Sequence, residues 1–224
     1  MPLRIAILAS GNGTNAQAIM DKADAGILDA DIRLVVANRP GAGVLARAEK
    51  AGLPRILLDH ADFPDREAFD AKLVETFRRS GAEFIVLAGY MRLLTPLFLS
   101  AFPDRVVNIH PALLPSFPGL HGGADALAYG VKLSGATVHF VTERMDSGPI
   151  IIQAAVPVNA GEPLEALMRR VHAMEHRIYP QALQWLARGR LSKKGRQVFL
   201  AADHCEKARP DGDWLVWPPL EKGF

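Results

Sequence analysis

Residues 4–15 read RIAILASGNGTN. Arg4-Ile5-Ala6-Ile7-Leu8-Ala9 is a nearly continuous apolar run. A strand wetted on one face alternates apolar with polar residues, so an unbroken run fits a strand covered on both faces, as in a parallel sheet. The Gly/Asn turn at Ser10-Gly11-Asn12-Gly13-Thr14-Asn15 stops the strand, and a helical pattern runs from about Asn15 to Gly26. Strand, tight turn and helix open a β–α–β alternation.

The alternation continues. Ile32 to Ala37 reads as a second strand, and Asn38-Arg39-Pro40-Gly41 turns into a helix ending near Gly52. Arg55 to Leu58 is a short third strand. Phe63 to Arg79 is an amphipathic helix closed by Gly81, Phe84 to Ala88 a fourth strand, and a short helix after Pro96 leads to a strand opening at Val106. The class expected is α/β: an open, mostly parallel, twisted sheet with helices on both faces, Rossmann-like in outline. After Pro111 the pattern changes. Gly135 to Val141 and Ile150 to Val158 read as longer, antiparallel strands, and Pro163 to Arg188 as a long helix. Residues 191–224 form an irregular tail with a small hairpin between the region of Val198 and Trp214–Trp217.

With 224 residues, 49% hydrophobic and 22% charged, the chain can bury a sizeable core. Net charge is only +2, and the one short basic run, Lys193-Lys194-Gly195-Arg196, reads as a solvated turn. No nucleic-acid partner is expected on that balance. The single cysteine, Cys205, excludes an intrachain disulfide and a Cys-rich zinc site and suits a reducing compartment. The N-terminal apolar run breaks at Ser10-Gly11, short of a signal-peptide core, and no stretch is long enough to span a bilayer. A cytoplasmic protein with no membrane association is the expectation.

The first turn carries chemistry of its own. Backbone N–H groups at a helix N-terminus attract anions, and glycines let a phosphate approach. Thr14 or Asn15 is expected to cap the helix. No Gly-Lys-Ser/Thr follows, so it is not a P-loop. Gly11, Gly13 and Ala16 also fit G-x-G-x-x-A, with Arg39 placed for a 2′-phosphate, so a dinucleotide and a ligand-free tight turn both stay open. A single phosphate monoester fits at least as well as a pyrophosphate.

Residues 106–121 read VVNIHPALLPSFPGLH. Side chains alternate along a strand, so Asn108 and His110 share a face with Cα atoms roughly 6.5–7 Å apart. Two polar groups ending an apolar strand are costly unless something satisfies or uses them. His121 lines the following loop. His139, set between apolar strand residues, reads as a hydrogen-bonded core histidine. Asp146, in the turn-rich loop 141–149, reads by itself as an Asx-turn residue. Asn108, His110 and His121 are not a standard metal set, no H-E-x-x-H or cysteine pair accompanies them, and G-x-S-x-G is absent.

Asn108-Ile109-His110-Pro111, Leu113-Leu114-Pro115, Pro118-Gly119, Thr137-Val138-His139-Phe140-Val141 and Asp146-Ser147-Gly148-Pro149-Ile150 together resemble the folate-dependent formyltransferases. Ser10 to Asn15 and Glu175-His176-Arg177-Ile178-Tyr179-Pro180 are similar to the branch that formylates glycinamide ribonucleotide in purine biosynthesis. The resemblance covers roughly the first 190 residues. It implies a single formyltransferase domain over 1–190, with a phosphate-binding half to 105 and a catalytic and folate-binding half from 106.

The resemblance further implies formyl transfer from 10-formyltetrahydrofolate, a co-substrate, to the primary amine of glycinamide ribonucleotide, without metal. Gly11, Asn12, Gly13, Thr14 and Asn15 would hold the 5′-phosphate; Pro111, His172 and Glu175 would meet the rest of that substrate, Glu175 at the ribose or amine. Met91, Arg92, Leu93 and Leu94 would line the pterin pocket, with Asn108, Val141, Thr142, Glu143 and Asp146 completing it and Arg66 at the benzoylglutamate end. Catalysis would fall to Asn108 as oxyanion donor and His110 as proton shuttle, with Asp146 favouring the imidazolium. A homodimer is compatible with the family. One departure stands out: Gly122-Gly123 follows His121, where the family often has a second histidine.

Four alternatives are weighed. A formyltetrahydrofolate hydrolase would carry an N-terminal regulatory domain, and a methionyl-tRNA formyltransferase a C-terminal RNA-binding domain. Neither is expected, because the first strand begins near residue 3 and the tail is short. From other classes come an NADP-dependent reductase and a catalytically silent nucleotide-binding module.

Overall fold

The structure, a computed structural model, describes residues 1–202 and 214–224; Cys205 and that part of the tail lie outside the described residues. The chain divides into two compact units, residues 1–108 with 140–143, and residues 109–139 with 144–224.

In the first unit, β1 (Leu3–Ala9), β2 (Ala30–Ala37), β3 (Arg55–Leu57), β4 (Phe84–Leu87) and the start of β5 (Val106–His110) run parallel in the order β5-β4-β1-β2-β3. The unbroken apolar run places β1 in the middle, where Ile5 through Ala9 are fully buried. Ala6 and Leu8 share a face with Val36, Ile85 and Leu87, packed against Phe69, Leu73 and Phe77 of α3 (Arg66–Ser80) and Phe98 of α4 (Pro96–Ala101). Phe77, Phe98 and Phe102 meet with ring centroids 5.3–6.4 Å apart. Ile5 and Ile7 point the other way and are equally buried, so β1 is covered on both faces. Truncating such a side chain, Leu8→Ala for example, costs about 2–5 kcal/mol.

Helices α1 (Thr14–Asp24) and α2 (Gly43–Lys50) both contact β2 and bury Ile19, Met20, Val44 and Ala48. The cap of α1 differs from the expectation for Thr14 or Asn15. Gly13 is the N-cap, in the left-handed region at φ 72°, with no side-chain cap. A Cβ at Gly13 would lie 2.6 Å from Val44 Cβ, so packing as well as φ demands glycine. The first-turn N–H groups therefore lack the usual side-chain acceptor.

In the second unit, β6 (Leu133–Phe140, whose last residue belongs to the first unit) pairs antiparallel with β7 (Ile150–Pro157), as expected from the sequence. Helices α5 (Gly122–Tyr129) and α6 (Leu164–Ala187) pack together. α5 is absent from the sequence reading, which placed no element between Pro111 and Gly135. The lack of a side chain at Gly122 and Gly123 serves close approach: a Cβ on Gly123 would lie 2.5 Å from Met168 Sδ of α6, and one on Gly122 would lie 3.0 Å from the Phe117 carbonyl. The tail also pairs differently from expectation. Val198 lies in β9 (Gln197–Leu200), which forms a hairpin with β8 (Leu191–Lys194), whereas β10 (Leu215–Trp217) pairs antiparallel with β7. Buried Glu221 anchors the end of the chain, accepting from Trp185 Nε1 at 3.0 Å and pairing with Arg190. No helix among the described residues is long and apolar enough to cross a membrane.

Candidate active site

His110 ends β5 and is 3% exposed. Its Nε2 lies 2.9 Å from the Phe117 carbonyl. A carbonyl only accepts, so Nε2 carries a proton and donates it. Nδ1 lies 3.5 Å from Asp146 Oδ2. Both ring nitrogens thus face acceptors, an arrangement that an imidazolium satisfies twice and a neutral ring satisfies once.

Asp146 is the centre of a small cluster. Its Oδ2 accepts from the Gly119 N–H at 2.8 Å, and its Oδ1 lies 3.8 Å from Nε2 of His139, itself 2% exposed. Reaching back 27 residues to Gly119, the carboxylate does not close a local Asx turn on that bond. His139 is buried as expected of a core residue, yet it faces the carboxylate. Asp146 and Phe117 are both non-glycine residues in the left-handed region, at φ 48° and 52°. Such backbone persists where its surroundings hold it, and it collects at functional sites.

The loop after β5 is braced from behind. Thr137 Oγ1 donates to the Ala112 carbonyl at 2.7 Å and accepts from Leu114 N–H at 3.1 Å. Gln153 Nε2 donates to the Leu114 carbonyl at 2.9 Å and to Thr137 Oγ1 at 3.0 Å. Strand alternation sets Thr137 and His139 on one face of β6. A cleft of about 280 Å³ is lined by Leu114, Pro118, Met145, Asp146, Ile150 and Arg196.

The expected phosphate turn and pterin-lining segment both belong to the first unit and are tied together there. Ser10 N–H donates to the Gly89 carbonyl at 3.0 Å, while Ser10 Oγ accepts from Met91 N–H at 3.0 Å. Val44 N–H donates to the Gly11 carbonyl at 3.2 Å, and Arg47 Nε to the Asn12 carbonyl at 2.7 Å. Gly11, Asn12 and Thr14 are exposed, whereas Gly13 and Asn15 are buried. Met91 and Leu93 are exposed, Arg92 stands over the Phe69 ring at 5.8 Å, and Leu94 is buried. At the end of this segment Asp70 Oδ2 accepts from Thr95 N–H at 2.6 Å. Burial pushes the Asp70 carboxyl above its ordinary range, and it pushes the neighbouring Tyr90 phenol up as well.

The other expected residues are spread through the two units. In the first, Asn108 pairs opposite Leu87 of β4, Arg66 stands exposed at the start of α3, and Val141 N–H donates to the Val106 carbonyl at 2.9 Å. Thr142 and Glu143 are exposed. In the second, Pro111 is half-buried, and α6 carries exposed His172 three residues before buried Glu175. Sequence reasoning missed the Phe117 carbonyl, the part His139 plays beside Asp146, and the Ser10, Asp70 and Arg196 contacts. Of these only His139 had a signal, its place two residues beyond Thr137 on the same strand.

The formyl transferase family model matches residues 3–183. The chain is 43% identical over 198 residues to phosphoribosylglycinamide formyltransferase of Escherichia coli, covering 88% of this chain and 93% of that protein. It is 46% identical over 192 residues to the trifunctional purine biosynthetic protein adenosine-3 of Drosophila pseudoobscura pseudoobscura, but spans only 14% of that longer protein. The crystal structure of glycinamide ribonucleotide transformylase 1 from Symbiobacterium toebii superposes with a TM-score of 0.88 at 49% identity, covering 90% of this chain and 95% of that one. The chain belongs to the formyl transferase family of one-carbon transferases, on the branch of the phosphoribosylglycinamide formyltransferases.

Proposed function

We propose that this protein transfers a formyl group from 10-formyltetrahydrofolate to the primary amine of glycinamide ribonucleotide in purine biosynthesis. The observation that carries the proposal is the buried His110 ring between the Phe117 carbonyl at 2.9 Å and the Asp146 carboxylate at 3.5 Å.

The neutral amine attacks the formyl carbon. A C–N bond forms, and the carbonyl π pair moves onto oxygen. The Asn108 carboxamide and the His110 N–H are the donors for that oxyanion, and one such preorganised donor is typically worth about 10²–10³ in rate. Collapse then breaks the bond between the formyl carbon and folate N10. N10 leaves with a proton, and the attacking nitrogen loses one. His110 moves these protons directly or through a water, a role worth about 10²–10⁴. Asp146 balances the charge on the ring while the proton is held there. Delivery through Nε2 requires the Phe117 carbonyl to give way, at a residue whose own backbone is in the left-handed region. Histidine and amide carry the charge and proton movements, so the scheme calls for no metal.

The 5′-phosphate is assigned to the turn from Gly11 to Asn15, and Pro111, His172 and Glu175 to the remainder of the ribonucleotide. The folate is assigned to Met91, Arg92, Leu93 and Leu94, with Asn108, Val141, Thr142, Glu143 and Asp146, and its benzoylglutamate end to Arg66. An absorbance assay with a 10-formylfolate donor, run with and without glycinamide ribonucleotide, tests the reading. Donor consumption that requires the amine is expected. Equal consumption without it would replace the transferase with a hydrolase.

A further inference from the structure

We propose that Arg196, in the turn of the β8–β9 hairpin, is a positioning residue that holds the Asp146 loop in its working conformation. Arg196 Nη1 donates to the Ser147 carbonyl at 2.7 Å. Ser147 Oγ in turn donates to the Arg144 carbonyl at 2.7 Å. The backbone is therefore gripped on both sides of Asp146, whose φ of 48° is a conformation that non-glycine residues keep only where the surroundings over-determine it. Held this way, the carboxylate reaches Gly119 N–H, His110 and His139 together. Arg196 and Asp146 also line the same cleft of about 280 Å³.

The run Lys193-Lys194-Gly195-Arg196 thereby gains a use that its charge alone did not suggest. Gly195, in the left-handed region at φ 59°, lies in the tight connection from β8 to β9 beside Arg196. The hairpin lies beyond residue 183, where the family match ends, so this support comes from outside the matched domain. Arg196 itself is exposed, and its replacement removes a donor without opening the core.

The kinetic consequence rests on the formyl-transfer reading; the grip on the loop does not. Arg196→Ala should lower kcat about five-fold, the scale of one hydrogen bond, with the KM for glycinamide ribonucleotide and the Tm unchanged. Arg196→Lys, which keeps a charged donor, should recover most of the loss. In an Asp146→Asn background Arg196→Ala should have no further effect, because the two act through one loop. Independently of activity, amide exchange at Gly119 and over residues 144–148 should quicken in Arg196→Ala. Unchanged exchange together with wild-type kcat, or an undiminished five-fold loss in the Asp146→Asn background, would overturn the proposal. A wild-type protein inactive in transfer, with quickened exchange in the variant, would sink the formyl-transfer reading and leave the grip standing.

Discussion

At position 110 one imidazole meets a backbone carbonyl on one nitrogen and a carboxylate on the other. Asp146 in turn serves His110, His139 and the Gly119 N–H. Asp146→Asn keeps the shape of that side chain and removes its charge. It should lower kcat at least about ten-fold with little change in Tm, since a charge-assisted contact weakens while an amide oxygen can still accept from Gly119. Steady-state kinetics beside a thermal melt check this; unchanged kcat would remove Asp146 from the mechanism. Asn108 and His110 stood out as candidates because their side chains differ in kind from the apolar strand around them, whereas Asp146, set in a polar, turn-rich loop, became a candidate only through the family resemblance. The Phe117 carbonyl was not, because a backbone acceptor looks the same in every residue. The exposed turn expected at Lys193 to Arg196 is present, but the bond from Arg196 to the Ser147 carbonyl was not legible, because that partner lies far away in sequence.

Two elements set the geometry of the first unit, and each invites its own test. In the turn between β1 and α1, a side chain at Gly13 would collide with Val44, whereas a Cβ at Gly11 meets nothing described within 4 Å. Gly13→Val should therefore unfold the protein at lower temperature and confound any binding measurement. Gly11→Ala should keep the melting temperature and raise the KM for glycinamide ribonucleotide several-fold by crowding the anion. An unaltered KM would place the phosphate elsewhere. Between α3 and α4, Asp70 holds Thr95 N–H from a buried position that raises its pKa, chiefly through desolvation. A carboxyl raised in the folded state contributes stability that is full below its unfolded pKa and lost as pH rises through the folded value. Asp70→Asn keeps an acceptor for Thr95 and drops the titration. Its stability relative to the wild type should rise as pH climbs above about 4, the unfolded value, read from denaturant melts; a difference independent of pH would contradict the assignment. The buried strands were legible as unbroken apolar runs, because covering both faces of β1 removes any need for polar alternation. Helix α5 was hidden by Gly122-Gly123, which punctuate a local reading but here permit close approach to Met168 and Phe117. The pairing of β10 with β7 was hidden because nothing local encodes a partner some sixty residues away.

At the scale of the whole molecule, each unit carries its own part of the proposal. The first holds the turn proposed for the phosphate and the segment proposed for the pterin, joined through Ser10; the second holds the cluster of His110, His139 and Asp146. Composition and a net charge of +2 argued only against a nucleic-acid partner. The small-molecule substrates were suggested by the family resemblance of the motifs around Asn108, His110 and Asp146, whose order and spacing are far more restrictive than a glycine-rich turn. The most direct test is formyl transfer to glycinamide ribonucleotide by the wild type and by His110→Ala in one assay. The expected result is amine-dependent transfer by the wild type and a fall of at least about 10² in kcat for the variant. Near-normal turnover by His110→Ala would contradict the account.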